Sequence, residues 1–374
     1  MFLTCALYFL VESGSANSFP TYLISLAILP LLFLFPEQFR RLDLPLIGLA
    51  ALFLAYLGLS VSWSESGESV TKHLGYVLLV LGFSLSVAIV LTRFRWSLYW
   101  LCLIIILAAV INCGYSLYLH HMNPEYQPLP EPRLFALGRL SNPVISALSY
   151  GFVVILCAYM VMTRERMIAK VVFAEIALLF IGGIVLTWTR AVWPALAAAL
   201  IIGILLNYPG NRKKQLIAIS VVCGGIVLVV LASLGPELLM KRAFSFRPEI
   251  WSEFVSRAFA SNALIGVGLT SDSVFHLTGE PEPFKHPHSL FVSTFFYGGL
   301  IGLILYIALL ALAFRRVMLF ESHPIKVLAG MLLTFGVVAT LVDGNEVLVK
   351  VNYVWLLIWF PIGLLMVKEP SNLA

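Results

Sequence analysis

Charge is what this 374-residue chain has least of. Asp, Glu, Lys and Arg make up only 11% of it, against 60% hydrophobic residues, where a soluble domain carries about 25% charged residues. With a mean hydropathy of +0.97, an ordinary soluble domain is excluded and a single polytopic membrane domain spanning 1–374 is expected. Cysteine is sparse as well, with five residues. Cys5, Cys102, Cys113, Cys157 and Cys223 lie in or beside apolar runs without paired or metal-ligand spacing, so they read as small buried hydrophobes. The segment after Met1 lacks a basic stretch and a small-x-small site, so no cleavable signal is expected. Regular apolar–polar alternation is missing too, which excludes a closed barrel. The net charge of +5 is dispersed in short clusters between apolar runs, a pattern of membrane topology rather than of nucleic-acid binding.

What is present is a series of bilayer-length runs. Candidate spans are 2–11, 20–35, 44–62, 71–91, 97–119, 143–163, 169–187, 191–207, 216–234, 289–313, 325–342 and 352–367. About 20 apolar residues cross a bilayer as a helix, and in lipid only helices and barrels satisfy the backbone. The expectation is an all-α polytopic membrane protein of about twelve helices, the first too short to be secure as a span. Arg and Lys recur in alternate breaks: Arg40–Arg41, Arg93 and Arg95, Arg164 to Lys170, Arg212 to Lys214, Arg315 to Lys326, then Lys368. The positive-inside rule then puts both termini in the cytoplasm and two larger loops, 120–142 and 235–288, outside.

The first of these loops holds Pro124, Pro128, Pro130 and Pro132, which forbid a continuous helix. It reads as an ordered surface loop or as a cleft wall with Arg133 or Arg139 facing an anion. Its adjacent His120 and His121 project apart and lack acidic or Cys partners, so no metal is expected there. In the second, Pro248 suits a first helical turn, and Ile250, Trp251, Phe254, Val255, Ala258 and Phe259 recur at helical spacing. That predicts an amphipathic helix, lying on the membrane or capping the bundle.

Three side chains stand at the expected outer edge: Arg190 in the short break 187–190, Arg247 before the amphipathic helix, and His288 before the next span. Two guanidinium groups suit a diphosphate, and an imidazole can take a proton near neutral pH. Arg139, Lys72, His286 and Asp343 are possible accessories. Glu175, inside a span, reads as reaching for the cytoplasmic edge, and Glu346 as a solvated loop residue sooner than as one that orients His288 or contacts substrate. Trp96, Trp100, Trp188, Trp193 and Trp355 read as interfacial or helix-contact residues.

His288-Ser289, nine residues and then Gly299-Leu300-Ile301-Gly302 resembles a motif of the bacterial O-antigen ligases, in which His and Asn, Ser or Gln precede Gly-x-x-Gly. Read physically, the glycines let a neighbouring helix pack closely. Trp63-Ser64, 138–143, Thr189-Arg190 and 263–269 are similar to further family stretches; Thr189 and Ser289 depart from the commoner Ser and Asn. The resemblance implies a GT-C-like glycosyltransferase fold in the inner membrane. It also implies a periplasmic site, with undecaprenyl-diphosphate-linked glycan as donor and a lipid A-core sugar hydroxyl as acceptor. Arg190 and Arg247 would hold the diphosphate and His288 would be the catalytic base. Neither metal nor other cofactor is expected, and transfer should invert the anomeric centre. An O-antigen or exopolysaccharide polymerase, a protein O-oligosaccharyltransferase and a twelve-span transporter are the competing readings. The transporter is disfavoured because charges gather at span ends rather than at mid-membrane.

Overall fold

The structure is a computed structural model that describes residues 1–12, 14–34, 36–93, 97–122, 133–140, 142–208, 210–241, 246–276, 283–320 and 323–368. The four prolines of loop 120–142 lie outside the described residues. Within them the chain forms α1 (Phe2–Leu10), α2 (Ser15–Leu34), α3 (Leu44–Ser60), α4 (Val70–Arg93), α5 (Ser97–Met122), α6 (Pro143–Thr163) and α7 (Met167–Leu186). It continues with α8 (Val192–Asn207), α9 (Arg212–Lys241), α10 (Arg247–Ser261), α11 (Leu290–Leu319), α12 (His323–Leu341) and α13 (Phe360–Leu365). Among the described residues there is no β-strand beyond two isolated bridges, Leu42 with Val367 and Phe275 with Phe284. Each expected span coincides with a helix. Among the described residues seven helices, α3 to α7, α11 and α12, are long and apolar enough to cross a membrane by length and composition. The protein is therefore an all-α polytopic membrane protein.

Helix α1 is the exception in length. Nine residues rise about 13 Å, less than half of a hydrocarbon core about 30 Å thick. It is held inside the bundle instead: Tyr8 and Ser149 hydroxyls are 3.0 Å apart, and Asn112 donates to the Phe9 carbonyl at 2.8 Å.

Small residues set the helix spacing, as lipid-embedded packing requires. A Cβ at Gly82 of α4 would collide with the Ser25 carbonyl of α2. Helices α8 and α12 run antiparallel: Gly203 lies against Met331, while Val192 and Phe335 meet beside Gly151. Arg190, just before α8, is thereby brought to the end of α12 from which Val342 and Asp343 emerge.

The amphipathic stretch 247–261 caps the bundle. Its Ile250, Phe254 and Ala258 are buried, and Phe254 meets Phe275 and Phe296 edge-on at 5.3 and 4.8 Å. A π-helical turn, Trp355–Trp359, precedes α13. Its two end indoles donate to Val349 and Val347 carbonyls at 3.1 and 3.2 Å, which pins the loop carrying Asp343.

Helix α11 is broken. Gly299 sits at φ 62°, ψ −163° inside it, a conformation open to glycine alone. Segment 263–268 fills the break: Val267 and Gly268 N–H donate to the Phe296 and Tyr297 carbonyls at 2.9 Å each. Leu300 and Ile301 N–H donate to the Ala263 and Leu264 carbonyls at 2.8 and 3.1 Å. Backbone groups that the break frees are thus paired again, as membrane depth demands. A Cβ on Gly299 or Gly266 would strike the other segment's backbone. The expectation that Gly299 lets a helix pack closely is corrected accordingly, because a loop docks there. Gly302 keeps the expected role, facing Tyr56 of α3.

Candidate active site

The first turn of α11 begins at Ser289, whose Oγ accepts from the Val292 N–H at 3.4 Å. Ser and Asn are both good N-caps, so the residue after the histidine is read here as a helix-starting position. His288, immediately before it, has φ 52°. A left-handed conformation costs a non-glycine residue about 1–2 kcal/mol, and its neighbours enforce it. Trp251 of α10 donates its indole N–H to the Pro287 carbonyl at 3.0 Å.

Across from it, Asp343 Oδ1 lies 3.7 Å from His288 Nδ1. That is charge contact rather than a hydrogen bond, and it sets a carboxylate beside the imidazole. Asp343 is itself held firmly. Gly344 beside it has φ 115° and packs on Leu290, and the Ser293 hydroxyl donates to the Asn345 carbonyl. Arg247 reaches the same turn, its Nε–H donating to the Val342 carbonyl at 2.9 Å. Residues about forty or more positions apart, Arg247, His288 and Asp343, thus converge on the loop after α12.

His286 stacks against His288 with ring centroids 4.0 Å apart. Burial lowers its pKa to about 4, the charge of His288 adds to this, and Asp343 opposes it. Its buried Nδ1 has no hydrogen-bond partner among the described residues. His286 is therefore neutral at pH 7 and supports the site rather than titrating in it. The imidazole of His288 is 34% exposed and can meet both water and substrate.

Arg190 stands half-buried at the start of α8, its carbonyl accepting from the Trp193 N–H at 3.2 Å. The turn before it is unusual: Trp188 has φ 56°. Preceding Arg247, Phe246 has φ 58°. Among the described residues only Trp188, Phe246 and His288 combine a side chain with positive φ. Each lies at or within two residues of one of the three principal candidates. Strain of this kind gathers at functional sites, and no periodicity in the sequence reports it.

The accessories divide. Asp343 and His286 join His288. Lys72 and Arg139 instead line a separate cavity of about 520 Å³ with Glu346, Lys350 and Tyr353. Arg139 donates to the Ser18 hydroxyl at 2.8 Å and to the Val351 carbonyl at 3.4 Å, so it ties α2 to the last loop. Arg133 donates to the Thr187 carbonyl at 2.9 Å and supports the turn before Arg190. Glu346 differs from the solvated residue expected, because burial pushes its carboxyl up to about 7. Among the described residues no three His, Cys, Asp or Glu side chains are grouped to hold a metal ion.

A family model described as O-antigen ligase matches residues 175–307, which include Arg190, Arg247, His288 and the broken part of α11. The O-antigen ligase of Pseudomonas aeruginosa is 33% identical over 336 residues, covering 87% of this chain and 79% of that protein. On sequence similarity over most of its length, the chain belongs to the O-antigen ligase family.

Proposed function

We propose that the protein transfers a glycan from undecaprenyl diphosphate to a sugar hydroxyl of lipid A-core at the periplasmic face of the inner membrane, with both termini cytoplasmic. The observation that carries this reading is the convergence of Arg247, His288 and Asp343 on one turn. Arg247 spends its Nε on Val342, which fixes the guanidinium and aims its remaining donors. With Arg190, brought to the same end of α12, it neutralises the charge that grows on the departing diphosphate.

The acceptor hydroxyl attacks the anomeric carbon as the carbon–oxygen bond to the diphosphate breaks. His288 takes the hydroxyl proton, and Asp343 stabilises the imidazolium that forms. One displacement without a covalent intermediate inverts the anomeric centre. A diphosphate is a good enough leaving group that the reaction needs no metal.

The test is transfer by purified protein carrying His288→Ala or Arg247→Ala, with lipid-linked glycan and core acceptor. Each variant is expected to lose transfer while staying folded, and near-wild-type turnover by either removes that residue from the mechanism. Activity that persists in EDTA supports the metal-free route. The anomeric configuration of the product, read by NMR, decides inversion.

A further inference from the structure

A second cavity, of about 330 Å³, opens between the outer end of α3 and the far end of α10, walled by Trp63, Glu65, Arg257, Asn262, Asp272 and Phe296. We propose that it is a glycan subsite, holding hydroxyl-rich sugars of the donor chain a few units away from the diphosphate. The proposal rests on the glycosyltransferase reading above.

Its volume sits at the small end of the range of about 300–1,000 Å³ for ligand pockets, which suits a short saccharide. The Trp63 ring gives one wall a flat apolar face, backed by Tyr56 with ring centroids 6.0 Å apart. Its indole N–H is buried and lacks a partner among the described residues, leaving an unused donor beside the cavity. Glu65 and Asp272 are exposed carboxylates, acceptors for sugar hydroxyls. Arg257 supplies donors and is already oriented. It pairs with Glu253 at 2.7 Å, donates to the Val274 carbonyl at 3.2 Å and lies 5.3 Å from the Phe275 ring centre. An aromatic face beside mixed donors and acceptors is how a neutral sugar is gripped. Two carboxylates, with the one guanidinium tied to Glu253, repel phosphate.

The walls are rigid. Ser64 and Thr270 hydroxyls are 2.6 Å apart, the Leu269 N–H donates to Ser60 Oγ at 3.1 Å, and Val267 is bonded into the break of α11. Such a surface binds without paying to order itself. The position also fits a chain held at its other end by Arg247. Helix α10 runs from Arg247 to Ser261, about 21 Å at 1.5 Å per residue, so the cavity meets sugars beyond the reacting one.

The test uses full-length protein in detergent, with donors bearing either one sugar or a chain of several repeats, and the pair Glu65→Gln with Asp272→Asn. For the long donor, KM is expected to rise about tenfold with kcat unchanged, while KM for the one-sugar donor stays as in wild type. An equal rise for both donors, or none for the long one, overturns the subsite. Saturation-transfer NMR with the released oligosaccharide repeat reads binding without turnover. Wild type and His288→Ala should bind it, and the carboxamide variant should not. If no donor is turned over by wild type, the transferase reading fails, and the NMR result alone still decides the subsite. A thermal midpoint equal to wild type keeps misfolding from imitating the result, and Trp63→Phe, which preserves the ring, gives a second variant. That variant should weaken binding less than Trp63→Ala.

Discussion

The two ends of the bundle are built on different terms. At the end that carries the chain's Arg-rich breaks, charges answer one another or cap helices. Asp43 accepts from the Leu46 N–H at 3.0 Å and pairs with Arg316 at 3.0 Å. Arg316 also donates to the Val367 carbonyl at 3.2 Å, and Arg41 to the Thr92 carbonyl at 3.2 Å. Cations on the last carbonyls of helices are the cheapest way to close them. At the opposite end lie Trp188, Phe246 and His288, all with positive φ, and the indole clamps of Trp251, Trp355 and Trp359. One end is closed for stability. The other holds side chains in directions that a relaxed backbone does not provide.

This contrast can be broken from either side. The largest effect belongs to the strained end: His288→Ala should lower kcat by about 10²–10⁴, the usual worth of a general base, with little change in the thermal midpoint. A loss of both together would mean that His288 is structural. Next comes Arg316→Ala, which leaves Asp43 buried without its cation and should cost on the order of 3 kcal/mol of stability. Transfer by the surviving folded fraction should keep its KM, and a raised KM would mean that the two ends are coupled.

A smaller effect is pH-dependent. The Glu346 carboxyl is raised from 4.5 to about 7, so the folded protein holds an extra proton between those values. Stability should therefore fall as pH rises through that window and then level off. Glu346→Gln should abolish that slope, seen as thermal midpoints that match wild type at pH 4.5 and exceed it at pH 8. Smallest is the backbone test at Phe246. In an ordinary helix Ala is more stable than Gly by about 1 kcal/mol. Here Phe246→Gly should be the more stable of the two by about 1 kcal/mol, because only glycine takes φ 58° freely. Equal midpoints would remove strain from the comparison.

Hydropathy and charge made the helices legible, and the spacing of Ile250, Phe254 and Ala258 made α10 legible, since burial imposes those periods. Arg190, Arg247 and His288 could be named because charge at the edge of an apolar run is conspicuous. The turn that gathers Arg247 and His288 could not be foreseen, for Val342 enters through its carbonyl, which every residue has. The break at Gly299 was hidden for a similar reason. Gly-x-x-Gly suits close helix packing and a backbone reversal equally well, and only the partner segment 263–268, some thirty residues earlier, tells them apart. Lys72 and Arg139 were grouped with the anion site by charge alone, and the fold gives them a cavity of their own.

The filled break in α11 also constrains how the protein is made. The first part of α11 cannot complete its own hydrogen bonding, so it is a poor candidate for insertion as an autonomous segment. Its complement, 263–268, leaves the ribosome first and must wait for the helix that needs it. Exchanging either piece alone between relatives should stall biogenesis, whereas exchanging both together should preserve it.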